Sequence, residues 1–359
     1  MTRTYLDHAA TTPLRPEARL AMEEGLRLWA NPSSPHAEGR AARRALEDAR
    51  ERVKAALGWT AEVIFTSGAS EAAALALAHA EVGERLVSAV EHDAVLQAAA
   101  GATVLPVLPD GALDLEALER ELSAADEPLV AVQAVNSETG NAQDLSTIGE
   151  KVRAGGGLLL VDASQSAGKV PLHPAADLAI ISAHKFGGPI GIGALLVRDF
   201  AMLAPSGGQE RGYRRGTENL PGVLGMAAAL DACTQPYCAP DATALIGPFA
   251  AEVRALGGTW LGDRLSAPTD LIHSLAMPGL SGSAQLMRFD MQGIAVSQGS
   301  ACSSGSMRTS HVLEAMGVPQ EEAAQTIRAS LGWSTTRAEV ERFCDAWLSM
   351  ARQAGERAA

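Results

Sequence analysis

The residues best suited to chemistry stand where apolar runs of the sequence end. Ser182-Ala183-His184-Lys185 closes the run Leu178-Ala179-Ile180-Ile181 and leads into Phe186-Gly187-Gly188-Pro189-Ile190-Gly191-Ile192-Gly193. A lysine at such a junction is a candidate Schiff-base lysine, because apolar surroundings disfavour the ammonium and leave the amine nucleophilic. Ser182 and His184 beside it supply donors suited to a phosphate, and a plain solvated lysine is the alternative. Asp162 ends the run Leu158-Leu159-Leu160-Val161. A carboxylate there needs a cationic partner, for which a protonated ring nitrogen would serve, or else it caps the following turn. Gln165 is either part of the same site or simple turn polarity, and His92 could stack on a ring or relay protons. Arg328 lies in the apolar stretch Ile327-Arg328-Ala329-Ser330-Leu331. Its guanidinium needs a carboxylate, which an amino-acid substrate would bring.

Two further stretches suit anions. Val63-Ile64-Phe65-Thr66 is followed by Ser67-Gly68-Ala69-Ser70-Glu71, which reads as a strand, a glycine turn and a helix start, where free N–H groups and the helix dipole attract negative charge. The run from Gly207 to Asn219 gathers Arg211, Arg214 and Arg215 among glycines. Its expected target is a phosphate of this subunit or of a partner, with a solvated loop as the alternative. Cys302 is set in Gly299-Ser300-Ala301-Cys302-Ser303-Ser304-Gly305-Ser306. Small neighbours permit movement, and exposure permits a thiolate fraction.

These residues need a scaffold, and the sequence supplies an alternation of strands and helices. Helices are expected over 15–30 and 37–57, the second carrying Arg43, Glu47, Arg50, Glu51 and Lys54 as a solvated charged face and closed by Gly58. Strands are expected at 63–66, 85–90, 103–107, 129–135, 158–162 and 178–181, with helices at 71–80, after His92, at 114–123 and at 146–154. Continuous apolar strands between helices predict a mainly parallel sheet covered on both faces, with the ligand beyond the carboxyl ends of its strands. Ser70, His92, Asn136, Asp162 and Lys185 all follow the last apolar residue of such a strand. From about 231 the pattern changes to a smaller α+β domain, with helices at 244–255, 284–291 and 309–316, an apolar stretch at 271–277 and a strand at 294–296. A last helix opens on the capping box Thr336-Arg337-Ala338-Glu339. The expected division is a large domain over 15–235 and a small one formed by 1–14 with 236–359.

Composition narrows the function. A net charge of −13 argues against nonspecific binding to nucleic acid or an anionic membrane. The first residues carry no positively charged segment followed by an apolar stretch, and no apolar run reaches membrane-spanning length, so the expected place is the cytoplasm. The four cysteines, Cys233, Cys238, Cys302 and Cys344, lack the density of a disulfide framework and contain no CxxC zinc pattern; no metal site is expected.

Taken together, the motifs resemble the cysteine desulfurases of the class V, fold-type I family that use pyridoxal phosphate. The matching stretches are Tyr5-Leu6-Asp7-His8-Ala9-Ala10-Thr11-Thr12-Pro13, Phe65-Thr66-Ser67-Gly68-Ala69-Ser70-Glu71, Glu91-His92, Val161-Asp162-Ala163-Ser164-Gln165-Ser166, Ser182-Ala183-His184-Lys185, Arg214-Arg215-Gly216-Thr217, Gly299-Ser300-Ala301-Cys302 and Ile327-Arg328-Ala329-Ser330-Leu331-Gly332. They follow in order over nearly the whole chain. The resemblance implies that Lys185 holds pyridoxal 5'-phosphate covalently, that Asp162 pairs with its ring nitrogen, that Gln165 bonds its ring hydroxyl, and that His92 stacks on it. It implies a phosphate held by Ala69, Ser70, Ser182 and His184, and by Thr217 from the second subunit of a homodimer. Arg328 would bind the carboxylate of L-cysteine, and Cys302 would take its sulfur for an acceptor such as an iron-sulfur scaffold, or for transfer-RNA thiolation. A selenocysteine lyase, a class V aminotransferase or a catalytically silent scaffold of the same fold are the alternatives. Two positions depart from the family pattern: Ser137 stands where a second asparagine is usual, so that role is not carried over, and Arg215 stands where a small serine is common.

Overall fold

The computed structural model describes residues 3–299 and 310–358. A seven-stranded sheet occupies its centre, in the order Glu62–Thr66, Gly193–Val197, Leu178–Ser182, Leu158–Asp162, Pro128–Gln133, Glu84–Ser88, Thr103–Leu105. Gly193–Val197 pairs antiparallel with both of its neighbours, and the remaining pairings are parallel. The mainly parallel α/β sheet expected from the alternation is therefore present. The reversed strand is a departure from it: its own glycine run turns the chain straight back beside Leu178–Ser182, with no crossover helix.

The side chains of each strand divide between two cores, as the two-residue period of a strand requires. Val63, Phe65, Val130, Val132, Val161 and Ile181 join one core with the helices Pro16–Arg27, Ala37–Leu57 and Leu220–Asp231. Ile64, Leu129, Ala131, Leu160, Ile180 and Leu195 join the other, with Ala69–His79. Leu220–Asp231 is buried along nearly its whole circumference, so it has no polar face and offers no helical period to a sequence reading. A third core lies around Phe249, Trp260, Phe289, Phe343 and Trp347. It is built on the antiparallel strands Thr326–Ser330, Ile272–Ala276 and Thr259–Trp260, and the short strand Thr4–Tyr5 pairs parallel with Ile294–Ala295 beside it. Among the described residues no helix is long and apolar enough to cross a membrane.

One charge of the helix Ala37–Leu57 departs from expectation. Arg50 is 2% exposed and lies in the core, not on the solvated face. Its NH1 and NH2 donate to Glu210 Oε2 and Oε1 at 2.8 and 3.1 Å, and its NH1 also donates to the carbonyl of Val63 at 2.6 Å. Glu210 Oε2 accepts the N–H of Phe65 as well. This pair fastens the arginine-bearing loop to the edge strand Glu62–Thr66, the strand that leads to the glycine turn. Removing one member leaves the other charged and buried, which costs about 3–5 kcal/mol. Glu210→Ala should lower the unfolding free energy by about that amount in urea titration; a change below about 1 kcal/mol would mean that Glu47, 3.1 Å from Arg50 Nε, is enough to hold the guanidinium.

Candidate active site

Beyond the carboxyl ends of the strands lies a cavity of about 540 Å³, lined among others by Ala69, Ser70, His92, Asp162, Gln165, Ser182, His184, Lys185 and Arg328. Lys185 reaches it from a single turn, Ala183–Lys185, that follows a strand with all five residues buried. Its Nζ donates to the carbonyls of Ala9 at 2.5 Å and Ala10 at 2.9 Å. Burial, and next the positive charge of Arg328, draw its pKa from 10.5 to about 8. Half of the amine is then free at mildly alkaline pH, as a nucleophilic lysine requires.

Asp162 accepts the N–H of Ser164 on Oδ1 at 2.9 Å. Opposite it on the neighbouring strand is Gln133, whose N–H goes to Glu91 Oε1 at 2.7 Å. Glu91 is fully buried and its Oε2 has no partner. Burial and then the charge of Asp162 push its carboxyl well above the ordinary range. Sequence reading singled out Glu91 only as part of a motif; nothing in its spacing signals that it is buried.

The glycine turn behaves as an anion site should. Gly68, at φ 154°, precedes the helix Ala69–His79 without a side-chain cap, and this leaves the first N–H groups of the helix free to meet a ligand. His184 lies across the cavity, its Nδ1 3.1 Å from Thr11 Oγ1. Burial, then the charges of Lys185 and Lys169, lower its pKa to about 4, so it is neutral. His92 precedes the helix Asp93–Ala98 and accepts the N–H of Ala94 on Nδ1 at 3.1 Å, which places its proton on Nε2.

Arg328 is 3% exposed in the strand Thr326–Ser330. The carboxylate that its burial demands is supplied within the chain: NH2 donates to Asp7 Oδ1 at 2.7 Å, while NH1 donates to the carbonyl of Ser137 at 2.7 Å. Its Nε is buried without a partner. Ser137, the departure noted in the sequence, thus meets Arg328 through its backbone, and Asn136 is occupied in holding the turn, with Oδ1 accepting from the N–H groups of Glu138 and Thr139.

Not every expected residue gathers here. The arginines of the loop are spent on the chain itself: Arg211 pairs with Glu62, Arg214 with Glu71 at 3.0 Å, and Arg215 donates to the carbonyl of Ser206 at 3.0 Å. Thr217 is exposed and does not line the cavity. Cys302 lies outside the described residues, although Gly299, three residues before it, lines the cavity. One residue of the cavity and one behind it escaped sequence reading because burial alone reveals them. Glu138 takes a hydrogen bond from Ser310 Oγ at 2.5 Å, and Lys169 donates to Gln165 Oε1 at 3.0 Å.

The residues present fit pyridoxal phosphate: a lysine of lowered pKa, a carboxylate deep in the cavity, free helix N–H groups and the orphaned Nε of Arg328 together suit a phosphorylated aldehyde and an amino acid.

The fold and this cavity define a class that comparison with other proteins makes explicit. The chain belongs to the aminotransferase class-V family, whose model matches residues 4–343. Within that family its likeness is to cysteine desulfurases, as the motifs had suggested. A cysteine desulfurase of Cereibacter sphaeroides is 39% identical over 378 residues, covering 96% of this chain and 95% of that protein. The X-ray structure of a NifS-like protein from Rickettsia africae ESF-5 superposes with a TM-score of 0.86 at 30% identity, over 97% of this chain and 99% of that one. A protein called SspA, solved in complex with cysteine, gives a TM-score of 0.77 at 29% identity, over 93% of this chain and all of that one.

Glu91 provides a test of the site's electrostatics. A carboxyl whose folded pKa is raised contributes stability that is present in full below the ordinary glutamate value and lost as pH rises through the folded one. Glu91→Gln keeps the acceptor for Gln133 and removes that loss. It should unfold within about 1 kcal/mol of the wild type at pH 5 and gain on it toward pH 8. A variant that instead falls behind as pH rises would show that the buried group is ionised.

Proposed function

We propose that the chain is a pyridoxal phosphate-dependent cysteine desulfurase that converts L-cysteine to L-alanine and leaves the sulfur as a persulfide on Cys302. The observation that best supports this reading is the placing of a near-neutral lysine amine in one cavity with Asp162 and Arg328. The cofactor, when bound, supplies an electron sink next to the substrate's α-carbon. Ala69, Ser70, Ser182 and His184 would hold its phosphate, with Thr217 reaching over from the second subunit of a homodimer. Asp162 would hold the ring nitrogen, Gln165 the ring oxygen, and His92 the ring face.

Lys185 Nζ carries the cofactor and afterwards takes the proton from the α-carbon. Arg328 binds the substrate carboxylate, for which the unpartnered Nε is already in place and Asp7 gives up its share. Cys302 Sγ attacks the substrate sulfur: an S–S bond forms, the Cβ–S bond breaks with its electron pair going to the carbon skeleton, and protonation there gives alanine. The persulfide then serves an acceptor protein, such as an iron-sulfur scaffold, or the thiolation of transfer RNA. In this reading residues 15–235 form the cofactor domain, residues 1–14 and 236–359 form the smaller domain that carries the cysteine, and the protein works in the cytoplasm.

Purified protein given L-cysteine and a reductant should release alanine and sulfide in equal amounts. Pyruvate with ammonia would mean a β-lyase, and no product from cofactor-loaded protein would mean a silent scaffold. Cys302→Ala should keep the bound cofactor but lose alanine production at least about 100-fold. Mass spectrometry of the wild type after substrate should find one extra sulfur on the peptide containing Cys302 and none on those containing Cys233, Cys238 or Cys344. A variant that keeps most of its alanine production would assign the sulfur a different exit.

Arg328→Ala should raise the Michaelis constant for cysteine roughly tenfold or more while borohydride still fixes the pyridoxyl group on Lys185, the lost pair being worth about 1.5–3 kcal/mol. Unchanged kinetics would leave Arg328 with a structural task only.

A further inference from the structure

Gln165 forms a wall shared by two cavities. One face lines the active site, and the other lines a separate space of about 360 Å³ that also contacts Lys169, Tyr237 and Thr269. Lys169 therefore approaches Gln165 from behind, outside the set of residues that line the active site. The turn after Asp162 carries it there: Ala167 and Val170 N–H groups go to the carbonyls of Ala163 and Ser166, and Lys169 Nζ meets the Gln165 side chain. Gly168 makes the turn possible at φ 73°, a conformation that a side chain would resist, and a Cβ there would stand 2.9 Å from the sulfur of Cys233.

The lysine is 6% exposed, and among the described residues no carboxylate pairs with it. Its Nζ donates to Gln165 Oε1 at 3.0 Å and stands 5.7 Å from the centre of the Tyr237 ring. Burial and then the charge of Lys185 bring its pKa down to about 7, a measure of how unfavourable the position is for an ammonium.

An ammonium has three donors and no acceptor. The carbonyl of Ala9 can only accept, so the Gln165 nitrogen faces it and the oxygen faces Lys169, whose Nζ can donate there as ammonium or as free amine. Nε2 donates one hydrogen to the carbonyl of Ala9 at 2.7 Å, and the amide's second hydrogen remains for the active-site cavity. That carbonyl is shared with Lys185 Nζ, so Gln165 is held at one end by a backbone oxygen already in use and at the other by Lys169.

We propose that Lys169 is a positioning residue, which clamps the Gln165 amide with its N–H toward the active-site cavity and so offers a hydrogen-bond donor to the anionic ring oxygen of the cofactor. This rests on the pyridoxal phosphate reading above. Replacing the clamp by an apolar chain leaves Oε1 without a partner and the hydrogen bond to the Ala9 carbonyl as the only hold on the amide, which weakens the donor offered to the ring oxygen.

The test uses the full chain loaded with pyridoxal phosphate. Two quantities are read: the pH midpoint of the bound cofactor's absorbance change, and the free pyridoxal phosphate concentration at which the protein is half depleted in equilibrium dialysis. Lys169→Met should shift the midpoint and raise the half-depletion concentration about 2- to 10-fold, the range for one hydrogen bond. Gln165→Ala should do the same, and the double variant should be no worse than Gln165→Ala alone. Lys169→Arg, which also only donates, should restore both readings. A folded Lys169→Met with wild-type midpoint and retention, or a double variant whose loss is the product of the single losses, would overturn the proposal. If Lys169→Met does not fold, Lys169→Gln takes its place, because its amide can turn either end toward Gln165. It should fall between the wild type and Gln165→Ala, and wild-type values in it would equally overturn the proposal. Failure of the underlying reading looks different: the wild type itself would then bind no pyridoxal phosphate.

Discussion

The backbone carbonyl of Ala9 is the acceptor on which the rest of the active site depends. Lys185 Nζ and Gln165 Nε2 both donate to it, and without an acceptor a buried donor costs more than its hydrogen bond is worth. The segment that presents it is fixed at both ends. Thr4 and Tyr5 pair with Ile294 and Ala295, Asp7 bridges to Ser330 and holds Arg328, and the N–H of Ala9 goes to Ser330 Oγ. On the other side the N–H of Thr12 goes to the carbonyl of His184. A few consecutive residues thus set the spacing between Arg328, on the three-stranded sheet, and Lys185, on the seven-stranded one.

Burial then sorts the charges around this segment. His8 and His184 are both held near 4 and stay neutral, and Glu91 and Glu138 are pushed toward their protonated forms. What remains to shape the field of the cavity are Lys185 and Arg328, answered by Asp162 and Asp7. A site of this kind attracts anions with the free N–H groups of a helix on one side and a guanidinium on the other, and it suits a molecule that carries negative charge at both ends.

Much of this was legible in the sequence, and the reasons for the remainder are physical. The buried strands announced themselves as short apolar runs, and the residues just past their ends proved to face one cavity, because a parallel sheet collects the carboxyl ends of its strands on one edge. Lys185, Asp162, His92 and Ser70 line it for this reason, whereas Asn136, expected beside them, does not line it and holds its own turn. The helix Leu220–Asp231 went unseen because it is apolar all round, and the reversed strand Gly193–Val197 because a run of glycines reads as a turn. Arg50 was misplaced on the solvated face since its partner, Glu210, lies 160 residues away. The loop arginines pointed to an anion, but the carboxylates that claim two of them, Glu62 and Glu71, stand close by only once the chain has folded. A sequence displays which residues carry charge; it does not display which of them have already been neutralised.

Gly193 opens its strand, paired with Thr66 on one side and Ser182 on the other. A Cβ there would come within 2.5 Å of the carbonyl oxygen of Ile181 and 2.8 Å of the backbone of Gly68, the residue that opens the anion-binding turn. The contact is between two glycines, one needed for its missing side chain and the other for a φ that a side chain would resist. An alanine at 193 would press on the neighbouring strand and on the turn at once, and a larger residue at 68 would have room but would need a new turn conformation. In the terms of molecular evolution both positions are tied to glycine, Gly193 by the lack of space around it and Gly68 by its own φ, so the entrance of the anion site has less freedom to vary than the side chains around it.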